Sequence, residues 1–362
     1  MKILYAIQGT GNGHISRARD IIPILQKKGD VDILVSGMQV DLQLPYLIKY
    51  KFKGLGFIFG KNGGVDLVET YKKSNLKRFY LEIKQLPVHE YDFVISDFEP
   101  VSAWACRRIN KNCIGLSHQL AVANKKSPKP KKSDIIGKTI LNIYAPVTAA
   151  YGFHFKEFDK NIFTPIIRNE IRTAIISSKS HFTVYLPSYD DNKLIKFFSQ
   201  IKNVKWQIFS KHTSRCYQVN NISILPIHNE DFIKSFTSCA GILCGAGFET
   251  PSEAIFLQKK MLVIPMKGQY EQQCNAAALK EMDIPVIKSL KNKYIQKVKN
   301  WTIKKGDSIN YQYPDITENL IDKIFKNEID KKPQPPTLGN KPYSHSKLKR
   351  LTILKILKKA SG

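Results

Sequence analysis

Two stretches of this chain hold residues whose types and spacing could do chemistry. In Cys244–Ala276 (CGAGFETPSEAIFLQKKMLVIPMKGQYEQQCNA), Gly245, Ala246 and Gly247 precede Phe248, Glu249, Thr250 and Glu253. Glycines let backbone N–H groups close on a phosphate, and a helix opening there adds the positive end of its dipole. Further on, Glu271, Gln272, Gln273 and Asn275 offer a carboxylate and amides that could hold hydroxyl groups. The second stretch is Gln8–His14 (QGTGNGH), where Gly9, Gly11 and Gly13 alternate with Thr10 and Asn12. His14 carries an imidazole, which titrates near neutrality and suits proton abstraction. The plainer reading makes it a helix cap or a turn filler. Asp97, in Asp97-Phe98-Glu99-Pro100, is placed either to hydrogen-bond His14 across a sheet or to cap the next helix. His118, after Cys113–Leu116, is the second candidate base.

The elements that must position these residues read as alternating strands and helices. Lys2–Ile7 is a strand, Ile15–Lys28 a helix capped by Asn12 or Ser16 and ended by Gly29, and Val31–Ser36 a strand. Strict dinucleotide fingerprints read G-x-G-x-x-G, and the alternating glycines here make that a weaker reading. Tyr91–Ser96 is a further strand and Pro100–Arg108 a helix. In the second half, Gly241–Leu243 ends a strand, a helix carries Glu249 to Glu253, and Met261–Pro265 is a strand followed by a polar loop with Glu271 to Asn275. That is a right-handed βαβ unit, whose ligands lie beyond the carboxyl ends of the strands.

Cys244–Ala276 resembles the nucleotide-sugar signature of the GT-B glycosyltransferases, as in MurG-type lipid-linked GlcNAc transferases and UDP-glucuronosyltransferase-like enzymes. The resemblance implies an α/β chain of two Rossmann-like domains facing across a cleft. It implies that the turn through Gly245, Ala246, Gly247 and Phe248, with Glu249 and Thr250, binds the pyrophosphate, and that Glu253 holds the ribose. Glu271-Gln272, with Gln273 and Asn275, would contact the sugar; Glu271 stands where the plant-type signature has Asp. Gly11, Asn12 and Gly13 match the first glycine-rich loop of MurG-like enzymes, and His14 matches the base of related families. Ser188 follows the strand His181–Leu186, which in GT-B folds ends beside the nucleotide; backbone near Ile227 would pair with the base. The implied activity is transfer from a nucleotide-sugar, UDP-linked, to an acceptor hydroxyl with inversion. No DxD motif of metal-dependent transferases stands at a strand end, so no metal and no cofactor beyond the donor is expected.

The 362 residues suffice for two domains, expected at 1–160 and 161–325 with a basic tail over 326–362. A net charge of +27 favours anionic partners: nucleic acid, an acidic membrane surface or a phosphorylated substrate. No RNA or DNA module is recognisable, which sets nucleic acid behind the other two. The run KKSPKPKK in Asn124–Lys138 precedes the apolar, aromatic Ile140–Phe155, and Leu348–Lys359 is a short basic amphipathic pattern. Both suit contact with anionic lipid, and MurG-like enzymes dock through the N-terminal domain; a core segment beside a solvated loop is the competing reading. The six cysteines form no CxxC pair or zinc spacing, and no signal peptide or spanning run is evident, which points to the cytoplasm. A UDP-GlcNAc 2-epimerase-like enzyme, a basic nucleic-acid-binding protein and an inactive GT-B scaffold are the alternatives.

Overall fold

A computed structural model describes residues 1–10, 12–37, 44–55, 75–132, 134–304, 311–329 and 331. The chain divides into two compact units. The first comprises Met1–Ser127, Lys132–Ile166 and Asp315–Gly362; the second comprises Pro128–Lys131 and Ile167–Pro314. The boundary between the units falls at 166/167, six residues beyond the expected 160/161, and the helix Thr317–Glu328 belongs to the first unit.

The first unit is a seven-stranded sheet of β1 (Lys2–Gln8), β2 (Asp30–Ser36), β3 (Ile48–Phe52), β4 (Phe93–Asp97), β5 (Ile114–Leu116), β6 (Ala149–Phe153) and β7 (Ile162–Phe163). The spatial order is β3-β2-β1-β4-β5-β6-β7, and every pairing is parallel. β1 and β4 are buried on both faces, as their continuous apolar runs require. The order reverses between β1 and β4, where Ile7 pairs with Asp97. Such a reversal opens a crevice beyond the strand ends, where ligands bind in sheets of this kind.

Two devices shape that end of the sheet. The helix expected from Ile15 begins at Asn12, so Gly13 and His14 lie in its first turn. After β4, Phe98 takes a left-handed backbone (φ +55°), a conformation that costs a bulky residue about 1–3 kcal/mol. Its ring packs on Tyr144, with centroids 4.9 Å apart. The turn lets Glu99, not Asp97, cap the helix Pro100–Arg108: its carboxylate accepts from the backbone N–H groups of Val101 (2.7 Å) and Ser102 (2.6 Å) and from the Ser36 hydroxyl (2.6 Å). Burial pushes the Glu99 carboxyl up against the pull of these bonds.

The second unit has β8 (His181–Tyr185), β9 (Lys205–Ser210), β10 (Tyr217–Val219), β11 (Ile222–Pro226), β12 (Gly241–Gly245) and β13 (Met261–Ile264), ordered β10-β11-β9-β8-β12-β13. All pairings are parallel except the edge hairpin β10–β11. Its core joins Phe182, Val184, Phe198, Trp206, Ile208 and Leu243. The order reverses between β8 and β12, so the turn after Gly245 and the turn holding Ser188 flank the second crevice.

Several expectations change here. Glu271 to Asn275 lie not in a loop but in the helix Tyr270–Glu281. The apolar run from Ile140 splits: it ends the helix Ile135–Ile143 and then forms β6, with Tyr151, Phe153 and Phe155 buried. Those aromatics are core, so that part of the run does not meet a membrane. Residues 326–328 close the helix Thr317–Glu328 rather than opening a tail; residues 332–362, with the Leu348–Lys359 pattern, lie outside the described residues.

Candidate active site

In the first unit the crevice is built around Asp97, which is fully buried at the end of β4. The His14 Nδ1 lies 2.8 Å from Asp97 Oδ1. Arg17 follows three residues later on the same helix face and is equally drawn in: its Nη2 donates to both carboxylate oxygens at 2.8 Å. A buried carboxylate needs such partners, and charge-assisted bonds are the strong kind. Burial would raise the Asp97 carboxyl, but Arg17 first and His14 next reverse this and hold it below the usual carboxylate range. With Nδ1–H given to Asp97, the imidazole carries its lone pair on Nε2, where it accepts from the Gln119 amide. The Gln119 amide nitrogen sits 3.3 Å from that atom.

Asp97 and His14, singled out from sequence, are therefore bonded to each other. Arg17 and Gln119 were missed. The three-residue spacing from His14 to Arg17 on a helix was the signal available for Arg17; Gln119 gave none. His118, the second candidate base, is 1% exposed; its Nδ1 bonds the Phe153 carbonyl at 2.8 Å, and its ring abuts His154, so it is packed as a core histidine. Gly11 lies outside the described residues; Asn12 and Gly13 open the helix that carries His14.

In the second unit, Gly245 ends β12 and Ala246, Gly247 and Phe248 lead into the helix Glu249–Phe256, which holds Thr250 and Glu253. The glycines differ in kind from those elsewhere. A Cβ on Gly115, Gly152 or Gly241 would meet atoms at 2.4, 2.6 and 2.9 Å, so those glycines exist for packing. A Cβ on Gly247 would meet nothing within 4 Å, and one on Gly245 only Gln272 Oε1 at 3.7 Å. The fold leaves this turn open, which is the space a phosphate would use. Ser188 is exposed in the turn after β8, on the same side of the sheet.

Glu253 is 3% exposed and faces a guanidinium that sequence reading did not anticipate. Arg168 Nε reaches its Oε1 at 2.5 Å and Nη2 its Oε2 at 3.0 Å. Arg168 Nη1 also donates to Asn229 Oδ1 at 3.1 Å. Burial pushes the Glu253 carboxyl up, more than Arg168 pulls it down, while Glu253 holds Arg168 more firmly charged. A carboxylate offers about four lone-pair sites, so two remain for hydroxyl donors.

Gln272 Oε1 accepts from the Met266 N–H at 2.9 Å, which leaves its amide nitrogen for a ligand; Glu271 and Gln273 beside it are half-buried. Asn275, expected at the sugar, is fully buried, and its Nδ2 donates to the Ala246 carbonyl at 3.1 Å. That bond braces the glycine turn. Among the described residues no group of three or more His, Cys, Asp or Glu is placed to hold a metal ion.

Two mostly parallel α/β sheets, each with its loops for chemistry at a switch point, define the GT-B class of glycosyltransferase. The sequence model of glycosyl transferase family 1 matches residues 1–303, and the chain belongs to that family. No curated protein sequence matches it. Among solved structures it is similar to MurG of Acinetobacter baumannii (13% identity, 90% of this chain and 99% of that one, TM-score 0.54). It is also similar to UGT89C1 of Arabidopsis thaliana complexed with UDP (11%, 98% and 99%, TM-score 0.53). A third is the spinosyn rhamnosyltransferase SpnG complexed with thymidine diphosphate (12%, 92% and 98%, TM-score 0.50). At such identities the likeness is one of fold.

Proposed function

We propose that this glycosyltransferase moves a sugar from a UDP-linked donor, held by the second unit, to an acceptor hydroxyl, with His14 of the first unit as general base. The observation that carries the reading is the His14–Asp97 bond at the first switch point, which fixes the ring with its lone pair on Nε2, where an acceptor hydroxyl would take the place of the Gln119 amide. The Nε2 lone pair takes the acceptor proton as the acceptor oxygen attacks the anomeric carbon. The bond from that carbon to the nucleoside diphosphate breaks on the opposite face, so the configuration inverts. The charge that develops on the diphosphate meets the N–H groups of the Gly245–Gly247 turn and the N-terminus of the helix Glu249–Phe256. Ser188 supplies a hydroxyl to a phosphate, the two unused lone pairs of Glu253 accept from the ribose, and Glu271, Gln272 and Gln273 meet the sugar. Two neighbours were solved with UDP and thymidine diphosphate, both pyrimidine diphosphates; the MurG-like signature favours uridine.

The acceptor is read as lipid-linked, taken from the cytoplasmic face of an anionic membrane. Supporting this, Ile135 stands 77% exposed at the start of an apolar helix, and Lys125, Lys126, Lys132 and Lys138 lie exposed before and along it. Among the described residues no helix is long and apolar enough to cross a membrane.

A thermal-shift series with UDP, UDP-glucose, UDP-GlcNAc, UDP-glucuronate and the GDP and dTDP equivalents tests the donor. A ligand at a hundredfold its dissociation constant stabilises by about 2.7 kcal/mol. A shift with the uridine series alone is expected; stability unchanged by every nucleotide would sink the reading. Vesicles with and without anionic lipid test the surface, with Lys132 and Lys138 replaced by Gln as the comparison. Equal failure of parent and variant to bind removes the membrane part.

A further inference from the structure

We propose that Arg17 is a positioning residue for the His14 base: it serves as the standing cation of the buried Asp97 carboxylate, and so lets the imidazole remain neutral with Nε2 ready to accept a proton. The inference rests on the reading of His14 as base for its catalytic meaning, though not for its electrostatic content.

A fully buried carboxylate requires a positive partner. Only two side chains bond Asp97 among the described contacts, His14 at 2.8 Å and Arg17 through both oxygens at 2.8 Å. If His14 were the sole partner, the stable arrangement would be imidazolium and carboxylate. The proton the base must take from the acceptor would then already be present. A guanidinium stays charged throughout the working range, so it meets the carboxylate's need without touching the proton inventory of the ring. Its position also discourages a second cation: Arg17 Nη2 lies 3.2 Å from His14 Nδ1, too close for two full charges to coexist comfortably. The N-terminal turn of the helix, which carries His14, adds the positive end of a dipole.

Among the described residues, the other side chains named against the pair carry no opposite charge. From β1, the Tyr5 hydroxyl is fully buried and has no hydrogen-bond partner; burial and then Asp97 keep it protonated. The helix His118–Ala123 contributes the uncharged Gln119 amide, and its ionisable His118 is bound at Nδ1 to the Phe153 carbonyl. β6 contributes the Phe153 ring, 5.3 Å from the Arg17 guanidinium, and His154 follows it against His118. Asp97 is also held low chiefly by Arg17, with His14 the lesser influence after burial is overcome.

The test uses the full chain with isotopically labelled histidine, the His14 signal being assigned by its loss in His14→Gln. In Arg17→Gln the midpoint of the His14 titration rises by about one pH unit or more, the effect of leaving one opposite charge unbalanced nearby. Arg17→Lys restores it. The acid limb of kcat/KM moves up with it, so that activity near neutrality falls about tenfold and recovers at higher pH. An unchanged titration midpoint in folded Arg17→Gln overturns the proposal. So does a loss of activity equal at every pH. Should Arg17→Gln not fold, Arg17→Met, which keeps an apolar stem beside the Phe153 ring, takes its place, and an unchanged His14 midpoint in that variant overturns the proposal. The titration needs no substrate, so it decides the role of Arg17 even if no sugar transfer is found, while that absence would count against the transferase mechanism alone.

Discussion

Arg168 and Glu253 meet side by side, with both nitrogens of one guanidinium edge on both oxygens of one carboxylate, at 2.5 and 3.0 Å. The pair makes Glu253 a structural residue as well as a candidate for the ribose. Removing one partner of a buried pair costs about 3–5 kcal/mol, because the other is left charged and alone. Glu253→Ala is therefore expected to lower the melting temperature by roughly 10 °C, at about 2–4 °C per kcal/mol. The protein that remains folded should also bind UDP more weakly, as read by calorimetry. A normal dissociation constant in that fraction would leave Glu253 with only its structural part.

The glycines of the second unit make a paired prediction. Gly247→Ala adds a Cβ that touches nothing, so stability is expected to hold within about 0.5 kcal/mol, while nucleotide binding weakens because the phosphate's space is filled. Gly152→Ala places its Cβ 2.6 Å from the Ala121 nitrogen and is expected to destabilise by about 1–3 kcal/mol. Chemical denaturation of the two variants, followed by UDP titration, separates a glycine kept for a ligand from one kept for packing. Equal denaturation midpoints would contradict the distinction.

His14→Ala is expected to lower the transfer rate by about 10²–10⁴, the usual worth of a general base. Asp97 and Arg17 still pair in this variant, so its melting temperature should stay near the parent value. Unimpaired transfer would move the base elsewhere.

Asp97 predicts a pH dependence of stability. Its carboxyl is lowered in the fold, so the unfolded chain binds the proton more tightly. The contribution is present above the unfolded value of about 3.9 and is lost as pH falls through the lower folded value. Asp97→Asn should remove this share of the acid sensitivity. Melting temperatures between pH 2 and pH 6 would show a shallower slope in the variant; parallel curves would refute it.

Much of the scaffold could be read from the chain because its strands are short apolar runs and its glycine turns stand at their ends. β1, β4, β8 and β12 were expected within a residue or two of where they lie. Polar residues were harder. Glu271 to Asn275 look like a loop because five of the six residues from Gln269 to Cys274 are polar or small, yet the helix forms with Asn275 turned inward onto the Ala246 carbonyl. His118 looked available because it follows a strand; only the third dimension shows the Phe153 carbonyl that holds it. Arg168 and Glu253 are 85 residues apart, and nothing local to either announces the other. Local pattern reports which face of an element is apolar, whereas ion pairs between distant segments depend on topology.

The helix Thr317–Glu328 packs into the unit that begins at Met1. Lys27 and Lys28 bond Glu318 and Asp322 at 2.9 and 2.5 Å, and Phe325 stacks on Phe93 of β4 at 4.6 Å. The order of synthesis is therefore not the order of completion. Domains fold as units while the chain emerges, and residues 167–314 reach the end of their unit before residues 1–166 receive the helix Thr317–Glu328. Until that helix arrives, Phe93, at the start of the strand that ends in Asp97, lacks the Phe325 ring that stacks on it. A nascent chain halted at residue 314 would hold a finished second unit and an unfinished first one.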